Sequence, residues 1–441
     1  MSNSKVTLHS KLTAVSSKPV SSGKTHTLSA LDHAMGSHSL HIIFYYNNYD
    51  NFFESFDLDP LRESLSKVLT LYPTMTGRLT RGVDGNWEVK CNDAGVRVIK
   101  ATVDTTLNQW LSSASASEEE LLIAWDDMPH DPNTWSPFRI QINSFEGGGV
   151  AIGVSCIHMI ADVTCIASFF KSWTEEHQKL PITIPPSFTQ FQIPIPIHES
   201  VPQYAATLSK KVSQRNMGTA SFKFSNSIMK QWLSKVHDAC PNATPFEFLA
   251  SLFWSRIAFL NPPKTHSLSI CTDFRTLLKP SLPIGYFGNA LHFSTLTHKV
   301  EQHIDDAQLG SMVSLVHEHL KGLTEQHIWS GIELLEKSEK ESEGVKSCMY
   351  GRELTCVCME HLMNEKQESL LYEATFSSNE TPAHVSCRVG NVEGEGLIMV
   401  MPSSEGGLAR MVTVMLPEEQ LLRLTKDQAI LQFQPTMLLA L

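Results

Sequence analysis

Short apolar runs and helically spaced apolar stripes alternate along most of the chain. The continuous apolar run at residues 149–154 predicts a buried strand. The sequence Ser-Cys-Ile-His-Met-Ile-Ala-Asp follows at residues 155–162, and apolar side chains then recur at helical spacing over residues 166–173. His158 is therefore expected where a core strand passes into a helix. At such a place a scaffold can hold a side chain at the mouth of a cleft.

The same patterns predict further elements on both sides of this segment. Strands are predicted at residues 40–46, 77–79, 87–89, 96–99, 221–224, 268–271, 397–401 and 411–415. Helices are predicted at residues 61–71 and 302–323 and from residues 244 and 417 onward, and residues 336–343 are polar and predicted to be loose. The start at 244 is well marked, because Thr244 can cap, Pro245 suits the first position and Glu247 completes a capping box.

The chain has 441 residues, which exceeds one ordinary hydrophobic core and favours two domains. Residues 181–215 are dense in proline, which disfavours both helix and sheet and predicts an extended crossover. We therefore expect domains at residues 1–180 and 216–441, joined by a crossover at 181–215.

The composition and charge of the chain disfavour several classes of function. The net charge is −11 without a basic run, which argues against nucleic acid as a partner. Since apolar stretches stay short of the roughly 18 residues of a membrane span, no transmembrane segment is expected. The first residues lack an apolar signal-peptide core, and the nine scattered cysteines fit reduced thiols. We expect a cytoplasmic monomer.

His158 and Asp162 form the candidate chemistry. Many helices carry such a pair four residues apart as an ordinary surface pair, so the spacing alone is weak. The position after a buried strand strengthens it, because a neutral imidazole is the usual base for removing a proton from an alcohol or amine. Asp162 could orient the ring, or it could brace the turn by pairing with an arginine, and the spacing leaves both roles open.

Other sites are disfavoured by what surrounds them. Cys356, Cys358 and His361 are soft ligands close together, but a second cluster at zinc spacing is missing, so we expect no metal site. The three glycines at residues 147–149 precede a strand and form a turn rather than a phosphate loop. The chain lacks the Gly-x-Ser-x-Gly motif of serine hydrolases. Three early histidines are expected to be structural: His33, His38 and His41.

Several motifs in a fixed order resemble those of the plant BAHD acyltransferases. They include Leu-Ser-Ala-Leu-Asp at residues 28–32, Tyr-Pro at 72–73 with Gly-Arg-Leu at 77–79, and Cys-Asn-Asp-Ala-Gly-Val at 91–96, and they continue with His158 to Asp162, residues 244–254, Asp-Phe-Arg at 273–275 and Tyr-Phe-Gly-Asn-Ala at 286–290. The matches span nearly the whole chain, and the ordered set is more specific than any one motif.

The resemblance implies an α/β fold of the chloramphenicol-acetyltransferase-like type. Two similar mixed-sheet domains would be joined by a long crossover loop, with a channel between them. Acyl-CoA would act as co-substrate with no bound cofactor, and an alcohol or amine would accept the acyl group. His158 would be the general base, while Asp162, pointing away from the channel, and Arg275 would support the site. The motifs do not identify the residues that contact CoA.

One departure from the family concerns its second signature, Asp-Phe-Gly-Trp-Gly. The matching segment begins Thr375-Phe376 and runs through Asn379, so the family's acidic residue is replaced by Thr375. In the family that acidic residue pairs with the arginine at the position of Arg275, which here needs another partner. The family's Thr-Ser-Trp stretch, which helps to line the oxyanion site, also has no clear counterpart near residues 364–366.

In lacking this signature the chain resembles the eceriferum and glossy proteins of cuticular wax synthesis. The local sequence is also similar to theirs at residues 354–357, 383–387 and 409–414. That branch implies a largely non-catalytic accessory of a membrane-bound fatty-acid elongase condensing enzyme, which would place the chain at the endoplasmic reticulum through its partner. Acyl transfer by His158 is the first hypothesis, and the accessory role is the alternative. A relative that binds acyl-CoA without reacting is a third.

Overall fold

The protein folds into two compact units. Its structure, a computed structural model, describes residues 5–18, 23–49, 51–52, 59–189, 216–260, 266–298, 306–341, 349–350, 353–377 and 380–438. The first unit comprises Met1–Gln190, Pro283–Asn289 and Leu370–Asn391, and the second comprises Phe191–Leu282, Ala290–Ser369 and Val392–Leu441. Each unit has its own mixed sheet and its own helices, which confirms the predicted α/β class.

The strands and helices are numbered in chain order. The strands are β1 (Val6–Ala14), β2 (Thr25–Thr27), β3 (Ser39–Tyr46), β4 (Arg78–Arg81), β5 (Trp87–Lys90), β6 (Val96–Thr106), β7 (Phe138–Glu146), β8 (Val150–Ile157), β9 (Met217–Phe224), β10 (His266–Asp273), β11 (Leu291–His298), β12 (Leu354–Cys358), β13 (His384–Gly390), β14 (Leu397–Pro402), β15 (Arg410–Pro417) and β16 (Thr436–Leu438). The helices are α1 (Ala30–Ala34), α2 (Asp59–Leu69), α3 (Pro73–Thr76), α4 (Leu107–Ser113), α5 (Ala116–Glu119), α6 (Val163–His177), α7 (Asn226–Lys235), α8 (Pro245–Leu260), α9 (Asp306–Lys321), α10 (Glu325–Glu341), α11 (Glu418–Leu424) and α12 (Gln428–Leu431), with 3-10 turns at Glu120–Leu122 and Glu360–Leu362.

The first unit is built on a six-stranded sheet in the order β1-β6-β7-β8-β3-β13, beside a small sheet of β2, β5 and β4. Strands β6 and β7 pair in parallel, and the other neighbours in the large sheet pair antiparallel. Every residue of β8 is buried, which explains why its sequence is a continuous apolar run. Helix α6 packs against this sheet, with the ring of Phe170 stacked on that of Phe44 at 3.8 Å between centroids.

Helix α6 also packs against α2. The indole N–H of Trp173 donates to the carbonyl of Leu61 at 3.3 Å and to the hydroxyl of Ser64 at 3.1 Å. Phe169, Phe170 and Trp173 are fully buried, and burial of a side chain of this kind contributes roughly 1.5–3 kcal/mol. The predicted helical spacing of these residues is confirmed, and it fixes the axis of the helix that follows His158.

The second unit is built on a seven-stranded sheet in the order β11-β10-β12-β14-β15-β9-β16. Strands β10, β12 and β14 are parallel to one another, and the remaining neighbours pair antiparallel. Helix α8 is buried along nearly its whole length and packs against α9. Its predicted start is confirmed, because Thr244 and Glu247 exchange both hydrogen bonds of a capping box.

The structure differs from the sequence predictions at three places. Strand β13 pairs with β3 in the first sheet, so residues 370–391 and 283–289 belong to the first unit rather than to a continuous domain at 216–441. Residues 336–341 continue α10 instead of being loose. Helix α11 begins at Glu418 as expected but is followed by α12 and β16. The first and third differences involve strands that pair with distant residues, which local patterns do not report.

Two further expectations concern the crossover between the domains and a membrane-spanning segment. Residues 190–215, most of the expected crossover, lie outside the described residues. Within the described residues, no helix combines the length and apolarity needed to cross a membrane.

Candidate functional site

His158 lies at the end of β8, five residues before α6 begins. Its backbone N–H donates to the carbonyl of His38 at 3.0 Å, so the main chain extends the pairing between β8 and β3 by one residue. The residue is 1% exposed. The structure therefore places His158 at the predicted junction between strand and helix, where its backbone is held by the sheet.

Asp162 is the N-cap of α6. Its Oδ1 accepts a hydrogen bond from the N–H of Cys165 at 3.0 Å, and the residue is 1% exposed. The carboxylate thus satisfies an amide that has no partner within the helix, and it lies at the positive end of the helix dipole. This contact braces the turn between His158 and α6, which is one of the roles that the spacing left open.

Asn289 links the backbone of His158 to a buried carboxylate. Its Nδ2 donates to the carbonyl of His158 and to Oδ1 of Asp32, both at 2.8 Å, and its backbone N–H donates to the same Oδ1 at 3.0 Å. Asn289 is fully buried and Asp32 is 4% exposed. The carbonyl of His158 is therefore fixed by a side chain that is itself fixed at two atoms. We call Asp32, Asn289 and His158 the carbonyl network.

Asp32 is held in turn by the start of α1. Its Oδ2 accepts from the backbone N–H of Ser29 at 2.8 Å and from the Ser29 hydroxyl at 2.7 Å. Ser29 and Asp32 form a capping box, so residues adjacent in sequence position the carboxylate that Asn289 contacts. Both carboxylate oxygens therefore accept hydrogen bonds, which offsets the cost of burying the charge.

The turn that presents Asn289 depends on Gly288. Its φ is +154°, and a Cβ there would come within 2.8 Å of the hydroxyl of Tyr286. Its backbone N–H donates to Sγ of Cys165 on α6 at 3.2 Å. The Tyr-Phe-Gly-Asn motif thus has a physical explanation, because glycine allows the turn and the turn brings the amide of Asn289 to the network.

The surroundings of His158 keep its imidazole neutral. Burial lowers the pKa of His158 below its ordinary value, against the opposing influence of nearby backbone carbonyls and of Asp162. Burial and the neighbouring His158 also lower the pKa of His38, to about 4. A neutral imidazole has a lone pair on one ring nitrogen, which is the state that a general base requires.

Arg275 belongs to the second unit and is paired within its own segment. Its guanidinium donates to Oδ2 of Asp273, and its backbone N–H donates to Oδ1 of the same residue at 2.8 Å. Both side chains are nearly buried, at 6% and 3% exposure. Asp273 therefore supplies the negative charge that Thr375 cannot. It is the other partner that Arg275 needs after the change in the second signature.

The segment that replaces the second signature is attached to α6. Both the carbonyl and the hydroxyl of Thr375 accept hydrogen bonds from Nε2 of Gln178. The ring of Phe376 packs edge-on against Phe170 and Trp173. Thr375 and Phe376 thus serve the packing of the first unit. The next two residues of the changed signature, Ser378 and Asn379, lie outside the described residues.

The cysteines of the Cys-x-Cys-x-x-His motif are core residues. Cys356 is fully buried on β12, and burial raises the pKa of the thiols of Cys356 and Cys358. The Nε2 of His361 lies 3.7 Å from Oδ2 of Asp273. Within the described residues, these three side chains do not form a group with metal-binding distances.

Sequence reasoning missed parts of the site. Asp32 and Asn289 belong to motifs of the family, but no pattern in the sequence indicates that they meet at the carbonyl of His158. His38 was expected to be structural, and its carbonyl holds the backbone of His158. His33 and His41 do make structural hydrogen bonds, with the carbonyl of Trp87 at 2.8 Å and the hydroxyl of Ser155 at 3.0 Å.

Comparison with known proteins extends these observations. Shikimate O-hydroxycinnamoyltransferase of Nicotiana tabacum is 26% identical over 395 residues, covering 83% of this chain and 86% of that protein. Protein ECERIFERUM 26 of Arabidopsis thaliana is 28% identical over 426 residues, covering 93% of this chain and 92% of that protein. The crystal structure of vinorine synthase shares the fold, with a TM-score of 0.73 and 20% identity over 97% of this chain and 98% of that one.

The family assignment rests on the length of the match. The sequence model described as the Transferase family matches residues 4–431, which is almost the whole chain. The motifs that carry the resemblance lie within that range, from the capping box of α1 to the strand-to-helix junction at His158 and the turn before Asn289. The chain belongs to the Transferase family, the family of the BAHD acyltransferases.

Proposed function

We propose that this protein transfers an acyl group from an acyl-CoA to an alcohol or amine, with His158 as the general base. The observation that carries the proposal is a buried histidine at the strand-to-helix junction whose backbone is held on both sides. The N–H of His158 is bonded to His38, and its carbonyl is bonded to Asn289. A base held in this way needs little reorganisation before it accepts a proton.

In the proposed reaction, one residue, His158, accepts the proton of the acceptor and later returns it to the leaving group. A ring nitrogen of His158 takes the proton of the acceptor O–H or N–H as the oxygen or nitrogen attacks the thioester carbonyl. The tetrahedral intermediate then collapses, the carbon–sulfur bond breaks and the CoA thiolate leaves. The imidazolium returns its proton to the sulfur, so His158 ends neutral and the products are an ester or amide and free CoA. Asp162, Asp32 and Asn289 are positioning groups in this scheme.

The pH dependence of the rate tests the proposal. Purified protein is screened with acyl-CoAs and acceptors for acceptor-dependent CoA release, and kcat/KM is measured against pH. Because the pKa of His158 lies below the ordinary value of 6.5, kcat/KM is expected to stay level between neutral pH and pH 6.5. At lower pH the protonated ring cannot act as base, and kcat/KM should fall by about tenfold per pH unit. A profile that falls already above pH 6.5, or no acceptor-dependent CoA release, would contradict the proposal.

The alternative is an accessory of a fatty-acid elongase condensing enzyme that promotes very-long-chain elongation for cuticular wax. Two observations favour keeping it: Thr375 stands where the family has an acidic residue, and the similarity to Protein ECERIFERUM 26 extends over 93% of the chain. Proteins of the wax branch that the sequence resembles are not thought to need the histidine.

Fatty-acid profiles in yeast separate the two functions. The chain is co-expressed with a plant elongase condensing enzyme, either as wild type or as His158→Ala. If both forms lengthen the fatty acids equally, the accessory function is supported and His158 chemistry is unnecessary for it. If neither form does, the accessory function is rejected and the enzyme remains the better explanation. If only the wild type does, His158 takes part in elongation, and a purely non-catalytic accessory is excluded.

A further inference from the structure

Three potential metal ligands converge in the second unit, apart from the carbonyl network. They come from the turn before α8, the first turn of α8 and the middle of α9: Cys240, Glu247 and His317. One ligand atom from each lies within 4.8 Å of those of the other two. The Nδ1 of His317 is already 3.0 Å from Oε1 of Glu247. Seventy residues of chain separate Glu247 from His317, so packing of α8 against α9 creates the cluster.

We propose that Cys240, Glu247 and His317 bind a divalent metal ion of the zinc class. A thiolate, an imidazole and a carboxylate are the three ligand types that zinc accepts in proteins, at distances of about 2.0–2.3 Å. The three ligand atoms already lie within 4.8 Å of one another, which is close to the spacing of ligands around a single ion. The side chain of His317 is 19% exposed, which leaves an edge for ion entry and for a water as fourth ligand.

Burial distinguishes this cluster from ordinary acidic surface groups. Cys240 and Glu247 are each 5% exposed. A buried carboxylate must be paired or must coordinate a metal ion to offset its lost hydration. Thr244 and His317 bond the two oxygens of Glu247, and the thiol of Cys240 lies beside them. A metal ion would use all three groups together.

The backbone around the cluster holds the ligands in place. Oε2 of Glu247 accepts from the backbone N–H of Thr244 at 2.8 Å, which leaves Oε1 directed at His317. The N–H of Cys240 donates to the carbonyl of Val236 at 2.8 Å. On the side of α9, the hydroxyl of Ser314 donates to the carbonyl of Ala239 at 2.7 Å, which fastens the turn of Cys240 to that helix. Partners of this kind orient the ligands of protein metal sites.

Cobalt binding tests the proposal without reference to acyl transfer. The full chain, without an affinity tag, is titrated with Co²⁺ and then with Zn²⁺ as competitor. We expect one Co²⁺ per chain and a near-ultraviolet band from a thiolate bound to cobalt. Cys240→Ser should abolish this band, and His317→Gln should weaken metal binding by at least about 10-fold, since even outer partners of metal ligands cost 10–100-fold. Cys91→Ser is the matched control, because Cys91 is also 5% exposed but lies in the first unit.

The result does not depend on the folding of the variants. In wild-type protein, saturating Zn²⁺ should slow alkylation of Cys240 and leave that of Cys91 unchanged, as read by peptide mass spectrometry, and it should raise the melting temperature. If wild-type protein gives no thiolate band, if Cys240→Ser retains it, or if Zn²⁺ protects both cysteines equally, the proposal is overturned.

Discussion

Replacement of His158 by alanine is expected to lower kcat for acyl transfer by about 10²–10⁴-fold, the usual contribution of a general base. The neutral imidazole is the group at the strand-to-helix junction that can take the acceptor's proton. Alanine leaves that proton on the acceptor during attack on the thioester. The substitution keeps the backbone bonds of His158 to His38 and Asn289, so the fold should survive. Steady-state CoA release at saturating acyl-CoA and acceptor measures the effect.

A matched control separates lost chemistry from lost packing. His292 is also a buried histidine, 2% exposed, and burial lowers its pKa to about 3. It lies in the second unit, so His292→Ala removes a similar side chain from a different core. We expect this variant to melt earlier but to keep kcat within a few-fold of wild type below its melting transition. A wild-type rate for a folded His158→Ala protein would rule out His158 as the base.

Replacement of Asn289 by alanine is expected to reduce both stability and kcat. The side chain gives two hydrogen bonds to buried acceptors. Alanine removes this donor from the carbonyl of His158, while Asp32 keeps its bonds to the backbone N–H of residue 289 and to Ser29, so the expected loss is about 1–3 kcal/mol. Without the bond to its carbonyl, His158 is free to shift. A displacement of about 1 Å of a catalytic group can cost 10²-fold in rate. Chemical denaturation and CoA release measured on the same preparation would give both values.

Asn143 provides the comparison for that experiment. It is also fully buried in the first unit, and its Nδ2 donates to the backbone carbonyls of Leu122 at 2.9 Å, Ala151 at 3.1 Å and Gln141 at 3.4 Å. Asn143→Ala should therefore lose a similar amount of stability while kcat is retained. If the two variants lose kcat to the same extent at a temperature where both are folded, the carbonyl network has no special role in positioning His158.

The changed second signature is less damaging to the structure than its sequence suggests. Arg275 keeps an acidic partner, because Asp273 lies two residues earlier and both side chains turn toward each other. Thr375 accepts hydrogen bonds from Gln178, whereas the acidic residue of the family at this position forms an ion pair. The loss of the family's acidic residue therefore leaves Arg275 with a counter-charge, and it does not argue against catalysis on structural grounds.

Local sequence was sufficient where local physics decides the conformation. The apolar run of β8, the stripe of α6 and the capping box at Thr244 and Glu247 are short-range signals, and all three predictions are confirmed. The capping box of Ser29 and Asp32 is equally local. From these elements alone, the sequence placed His158 at the end of a core strand and before a helix, and the resemblance to the family added the two-domain α/β fold.

Contacts between residues far apart in sequence decided the domain boundaries and the buried side-chain networks. Strand β13 is hydrogen-bonded to β3 from more than 300 residues away, so the first unit is not a continuous piece of chain. The contact of Asn289 with both Asp32 and His158, and the approach of His317 to Glu247, arise in the same way. Side-chain period and capping chemistry report a residue's neighbours in sequence, whereas strand partners and buried networks depend on which distant surfaces the core brings together.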